Sequence, residues 1–180
     1  CRAPKCENNN MNSTAMTSVG KTNEDKEPVA FIAMDELYYV GSNVQERWLL
    51  DSGTSNHMTS NKDGIYDYVE SDKSVRIGDG NTMKIAGTGS LDLVVKDTTG
   101  VERTITLKNV RYVPGLAFNL LSMGRALENC IQVEYENHRM YLKHKQLKIE
   151  LEDKIKTDGA DLFALRASRR IEQMNYVMDA

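Results

Sequence analysis

From Pro28 onward the apolar residues recur mostly at every second position, the period of a strand whose two faces meet different surroundings. Met83, Ile85, Gly87, Gly89, Leu91, Leu93 and Val95 alternate with Lys84, Ala86, Thr88, Ser90, Asp92 and Val94. This predicts a long strand or bent hairpin arm with one apolar face. Ile105 and Leu107 keep the beat, and Val110 and Tyr112 resume it one residue out of phase, which predicts a β-bulge near Lys108 and Asn109. Ile131, Val133 and Tyr135 predict a further strand, Leu147, Ile149 and Leu151 another, and Leu162 to Leu165 a short last one. Asp63-Gly64, Asp79-Gly80, Thr99-Gly100 and Asp158-Gly159 mark turns. One helix is expected, from Leu120 to Asn129, with Leu120, Met123 and Leu127 on one face.

The flanks differ from this pattern. Residues 7 to 28 are dense in Asn, Ser, Thr, Glu and Lys and carry too few large apolar side chains to offset the entropy of ordering them, so 1–28 reads as a flexible linker. The folded domain is expected over 29–165, and the tail from Arg166 as a short helix or disordered sequence. A first residue Cys1 rather than Met suggests a piece of a longer polypeptide. With 23 Lys+Arg against 26 Asp+Glu, the formal charge of -3 argues against a charge-driven nucleic-acid binder. No long apolar run or apolar leader is present, so the expectation is a soluble, intracellular protein without a membrane partner. Cys1, Cys6 and Cys130 have no framework spacing, which argues against a disulfide scaffold and leaves Cys130 as a small buried residue.

Chemistry is suggested first by Trp48-Leu49-Leu50-Asp51-Ser52-Gly53-Thr54-Ser55, an apolar strand ending in a carboxylate, a hydroxyl residue and a glycine. An aspartic peptidase needs that order. The strand fixes the Asp51 carboxylate, Gly53 permits a tight turn, and Ser52 can hydrogen-bond to hold the loop. Alone, Asp-Ser-Gly is a common turn tripeptide. Two later segments add to it. Val75 to Ile85, with Gly78, Asp79 and Gly80 at its tip, reads as a glycine-tipped hairpin able to act as a flap over a substrate cleft. Asn119 to Leu127 places Leu120, Leu121 and Gly124 at a helix start suited to packing beneath the catalytic loop.

These residues resemble the aspartic proteases of copia-type retrotransposon polyproteins, over about Ala30 to Leu165. The resemblance is carried by Trp48 to Thr59 and by Leu107-Lys108-Asn109-Val110-Arg111-Tyr112-Val113-Pro114-Gly115-Leu116-Ala117-Phe118-Asn119-Leu120-Leu121-Ser122. It implies a mostly-β, retropepsin-like closed β barrel with one short helix, active as a homodimer. It further implies an aspartic endopeptidase that cuts its own Gag-Pol precursor, in the cytoplasm within virus-like particles. Asp51 would be catalytic, Ser52, Gly53 and Thr54 would support its loop, and Cys1 would be the last ligand of an upstream zinc knuckle. Thr54 stands where the family more often has Ala. Retroviral relatives carry an acidic residue shortly after the turn, where this chain has Asn56.

The chemistry agrees with a dimer. Two carboxylates must share one proton, one deprotonating a water while the other donates to the scissile carbonyl oxygen. Asp-Ser/Thr-Gly occurs once in the chain, so the second Asp51 must come from a second copy on a two-fold axis. The end segments Pro28–Met34 and Asp161–Leu165 are the expected dimer strands. No cofactor and no metal are expected: Cys130, His138 and His144 have no zinc spacing and the histidines read as surface residues. His57 beside Ser52 and Ser55 invites a serine-hydrolase reading, but no nucleophile elbow surrounds either serine. The competing function is a non-enzymatic dimerisation or scaffold segment of a domesticated or decayed element.

Overall fold

The computed structural model of the chain describes residues 46–77, 80–156 and 161–170. The expected linker 1–28, the dimer strand Pro28–Met34, the turn Asp158-Gly159 and the flap residues Gly78 and Asp79 lie outside them. The described chain is mostly β with one short helix: β1 (Arg47–Asp51), β2 (Met58–Thr59), β3 (Ile65–Glu70), β4 (Ser74–Arg76), β5 (Thr82–Lys84), β6 (Gly87–Lys96), β7 (Glu102–Tyr112), β8 (Asn119–Ser122), α1 (Met123–Glu128), β9 (Gln132–Glu136), β10 (Arg139–His144), β11 (Leu147–Glu150), β12 (Asp153–Lys156), β13 (Asp161–Arg166) and β14 (Ser168–Arg169).

Nine strands form one sheet in the order β12-β13-β1-β8-β2-β7-β6-β14, with β3 also paired to β6. In β6 the predicted alternation is realised: Gly87, Gly89, Leu91, Leu93 and Val95 are buried and the intervening residues are partly exposed. The arm breaks at Ile85 and Ala86, so the pattern spans two strands, β5 and β6. The two buried glycines serve β3, which crosses β6 closely: a Cβ on Gly87 would run into the Tyr68 ring, and one on Gly89 would meet Ile65 and the Tyr66 carbonyl. The bulge is also found. Leu91 pairs with Leu107 but Gly89 pairs with Val110, and the extra residue is taken up at Asn109, at φ 55°.

The expected closed barrel is not found among the described residues. β13 pairs with β1 as far as Arg166, then the chain bends at buried Ala167 and continues as β14 against β6. That bend carries one segment from one end region of the curled sheet to the other, but β14 pairs through only two residues and no continuous ladder closes the sheet. Two other expectations change. Asp161–Leu165 is not an unpaired strand, because β12 pairs with Asp161 to Ala164 and β1 with Ala164 to Arg166. The sheet also runs past Leu165: Ala167 is 2% exposed, and Arg169 donates to the backbone carbonyls of Asn61 and Asp63 and to Thr59 Oγ1.

The helix starts later than periodicity suggested. Leu120 and Leu121 belong to β8, and α1 begins at Met123. A strand with both faces buried has no alternation to reveal it, and the β8 residues Asn119 to Ser122 are all buried. Leu127 is exposed, and Ala126 is the residue α1 buries. Strands β9–β11 form a separate meander that closes the main core through Leu142, Ile149 and Leu151. Trp48, Leu91, Leu93 and Leu165 lie in that core, and Leu49, Met58, Val75, Ile85, Val113 and Leu120 form a second. The hairpin β4–β5 rests on the second core through Val75. Cys130 is half-buried, at φ 61°, rather than the fully buried residue expected.

Candidate active site

Strands β1 and β8 run parallel, with Trp48 opposite Asn119 and Asp51 opposite Ser122. Both then leave the sheet at the same level, β1 into the loop 52–57 and β8 into α1. Asp51 is therefore placed by a buried strand at the start of a loop. Asp51 is 8% exposed. Oδ1 accepts the Gly53 N–H at 2.7 Å, whereas Oδ2 is buried with no hydrogen-bond partner among the described residues. Burial raises the Asp51 pKa, and the N–H groups of Gly53 and then Thr54 pull against that rise.

The loop is held mainly from the other side of the sequence. Ser122 Oγ donates to the Thr54 carbonyl at 2.7 Å and accepts the Arg125 N–H at 3.2 Å, serving both as loop clamp and as N-cap of α1. The Ser122 N–H donates to His57 Nδ1 at 3.1 Å. Arg125 donates from Nε to the Ser55 carbonyl and from Nη2 to Asn56 Oδ1, at 3.2 and 3.1 Å. Thr54 is buried and its hydroxyl donates to the Asn56 carbonyl. Asn119, whose side chain accepts from Thr59 Oγ1 at 2.6 Å and donates to the Arg47 carbonyl, locks β1, β2 and β8 together one turn of sheet below.

Of the residues named from sequence, Asp51, Gly53, Thr54, Leu120 and Leu121 come together here. Ser52 does not act as drawn: its side chain is exposed and makes no hydrogen bond among the described residues, and Ser122 supplies the loop support instead. Gly124 is an exposed residue in the first turn of α1, with Ser122 Oγ as its near neighbour, rather than a packing point beneath the loop. Gly80, at φ 87°, closes the hairpin turn by donating to the Ile77 carbonyl. His57 is not a general base for a serine. It is 6% exposed, burial and then the Arg125 charge hold its pKa down to about 4, and its Nδ1 is occupied as an acceptor. Sequence reasoning missed His57, Ser122 and Arg125 as loop supports. The available signal was a serine placed to cap a helix immediately after an apolar strand.

Among the described residues no group of three or more His, Cys, Asp or Glu could hold a metal. Among the described residues no helix is long and apolar enough to cross a membrane.

Residues 48–131 match the family model of the Pol polyprotein beta-barrel domain. The matched stretch runs from the strand that carries Asp51 through α1. The chain is 38% identical over 101 residues to the retrovirus-related Pol polyprotein from transposon TNT 1-94 of Nicotiana tabacum, a match covering 56% of this chain and 7% of that protein. It is 36% identical over 91 residues to the corresponding polyprotein from transposon RE1 of Arabidopsis thaliana, covering 49% of this chain and 6% of that protein. A third relative, from transposon RE2 of the same plant, is 34% identical over 113 residues, 61% of this chain and 7% of that one. The chain thus spans only about 7% of the length of these curated relatives. No solved structure matches it. The similarities are thus to the beta-barrel domain of Pol polyproteins and to retrovirus-related Pol polyproteins of plant transposons.

Proposed function

We propose that this region is an aspartic endopeptidase that cuts its own Gag-Pol polyprotein, working as a homodimer in which each copy supplies one Asp51. The observation that carries the reading is the Asp51 carboxylate itself: buried at a strand end, one oxygen held by the Gly53 N–H, the other without a partner. A buried carboxylate oxygen with no partner is costly. A second carboxylate and a bridging water would satisfy it.

The chemistry follows. With one proton shared between two Asp51 groups, the ionised one takes a proton from the water while the protonated one donates to the scissile carbonyl oxygen, and the gem-diol then collapses with transfer of a proton to the leaving amine. Desolvation already raises the Asp51 pKa in one copy, and a like charge opposite would split the pair further. The loop bonds from Ser122 and Arg125 support the rigidity such a dyad needs. The β4–β5 hairpin would form the flap, and the virus-like particle in the cytoplasm would be the setting. No cofactor takes part in this scheme.

The test is incubation of the precursor polyprotein with the purified region across a dilution series, beside an Asp51→Asn form. Cleavage that falls steeply on dilution and disappears in the Asn form is expected. Cleavage that persists in the Asn form, or that is unchanged at concentrations where only monomer is present, overturns the proposal.

A further inference from the structure

Arg111 lies in β7 directly opposite Met58 of β2, and its backbone N–H donates to the His57 carbonyl at 2.9 Å. Met58 and Val113, two residues on, belong to the core that also contains Leu49 and Val75, the residues that lead to Asp51 and to the hairpin. Side-by-side residues of a parallel pair share a face of the sheet. Arg111 is thereby placed on the face that carries Asp51 and the hairpin base.

Its charge is unanswered. Arg111 makes no ion pair and no side-chain hydrogen bond among the described residues, and its Nε is buried without a partner. Burial, and then repulsion from Arg125, lowers the Arg111 pKa. Arg125 cannot lend its counterion, since its guanidinium is committed to the Ser55 carbonyl, Asn56 Oδ1 and Glu128 Oε2. A half-buried guanidinium whose Nε is buried without a partner is costly in the free protein, and such a site is satisfied by an incoming anion.

We propose that Arg111 forms a subsite for a carboxylate side chain of the peptide substrate, beside the loop that carries Asp51. This rests on the endopeptidase reading and narrows it to acidic peptides. A peptide fits better than a nucleic-acid phosphate backbone, because a polyanion would be repelled by a chain of net charge -3 whereas a single carboxylate meets only the local field.

The experiment uses random decapeptide libraries in matched pairs, one position fixed as Glu in one member and Gln in the other, with the wild-type chain, Arg111→Gln, Arg111→Lys and Asp51→Asn. For one fixed position the wild type should cut the Glu library about tenfold faster in kcat/KM, the gain lying in KM. Arg111→Gln should cut both members alike, and Arg111→Lys should keep part of the preference. Arg111→Gln should melt no lower than wild type, since it removes a repulsion; a marked loss of thermal stability, or equal cutting of Glu and Gln members by the wild type at every position, overturns the subsite while leaving the endopeptidase intact. If the wild type cuts no peptide, the endopeptidase reading fails instead. The subsite is then decided by binding of the same fluorescent libraries to Asp51→Asn and to Asp51→Asn with Arg111→Gln: Glu-selective binding lost with Arg111 supports it, and unselective binding overturns it.

Discussion

Two segments flank the candidate site and are built in opposite ways. The loop 52–57 is short of local bonds and is fastened by residues 65 to 70 positions away: Ser122 to His57 and Thr54, Arg125 to Ser55 and Asn56. The hairpin β4–β5 is fastened to itself, Ser74 to Lys84, Val75 to Met83, Arg76 to Thr82, with Ile77 bonding Asn81 and Gly80 across the turn. Among the described residues it is anchored in a core through Val75 and Ile85, with Met83 packed against the same core. A loop fixed by distant strands keeps its geometry as long as the whole domain is folded. A hairpin bonded to itself can swing as a unit about its base without breaking its own ladder. Under the proposed endopeptidase function the pair would serve as a rigid reacting group and a moving cover.

The contrast can be broken most severely at Asp51. Asn at this position should lower proteolysis at least about a thousandfold, because it removes the group that titrates. It should also raise the melting temperature at neutral pH. The Asp51 pKa is raised on folding, so folding is favoured when the group is protonated and loses that contribution as pH climbs through the raised value. Asn escapes this cost. The stability gain should shrink as pH falls toward the ordinary carboxylate range, and thermal melts of both forms between pH 3 and 8 check it.

Next in size is the clamp. Ser122→Ala removes the hydrogen bond to the Thr54 carbonyl and the cap of α1 together, and should cost about 2–3 kcal/mol in denaturant unfolding, with faster amide exchange at Thr54 to His57. If exchange quickens equally in the β4–β5 hairpin, the two segments are not independent and the comparison fails.

His57 provides a reversible version of the same break. Its pKa is lowered to about 4 from an ordinary 6.5, so its unfolded form binds more protons between those values. The stability it contributes is complete above about pH 6.5 and is lost as pH falls through about 4, worth roughly 3 kcal/mol over the whole window. His57→Gln should flatten that part of the stability–pH curve, leaving the Asp51 dependence of opposite sign.

The smallest effect belongs to the hairpin turn. Gly80 has φ 87° and open space around it, so Ala there is strained only by its backbone conformation and should cost about 1 kcal/mol. Hydrogen exchange should quicken at the Ile77 and residue-80 amides, which donate across the turn, and stay unchanged at Ser122. A loss of protection at Ser122 would tie the hairpin to the loop.

Much of this molecule can be read without coordinates. Alternation marked β6, the phase slip marked the bulge at Asn109, and glycines marked the turns at Gly64, Gly80 and Gly100, because each is a local steric fact carried by a few consecutive residues. Asp51-Ser52-Gly53 at a strand end was legible for the same reason. What the sequence could not declare was which residues would meet across the fold. Leu120 and Leu121 looked helical and are strand, because a strand buried on both faces carries no period. Ser52 looked like the loop's support, and Ser122, its functional replacement, is 70 positions away. Asp161–Leu165 looked unpaired, and β12 takes it from Asp161 to Ala164 while β1 takes it from Ala164 on. The unanswered charge of Arg111 also exists only in three dimensions. Short-range sterics and periodicity write themselves into neighbouring residues, whereas strand pairing, counterion choice and the desolvation that shifts Asp51 and His57 depend on contacts between distant ones, and those only the tertiary structure decides.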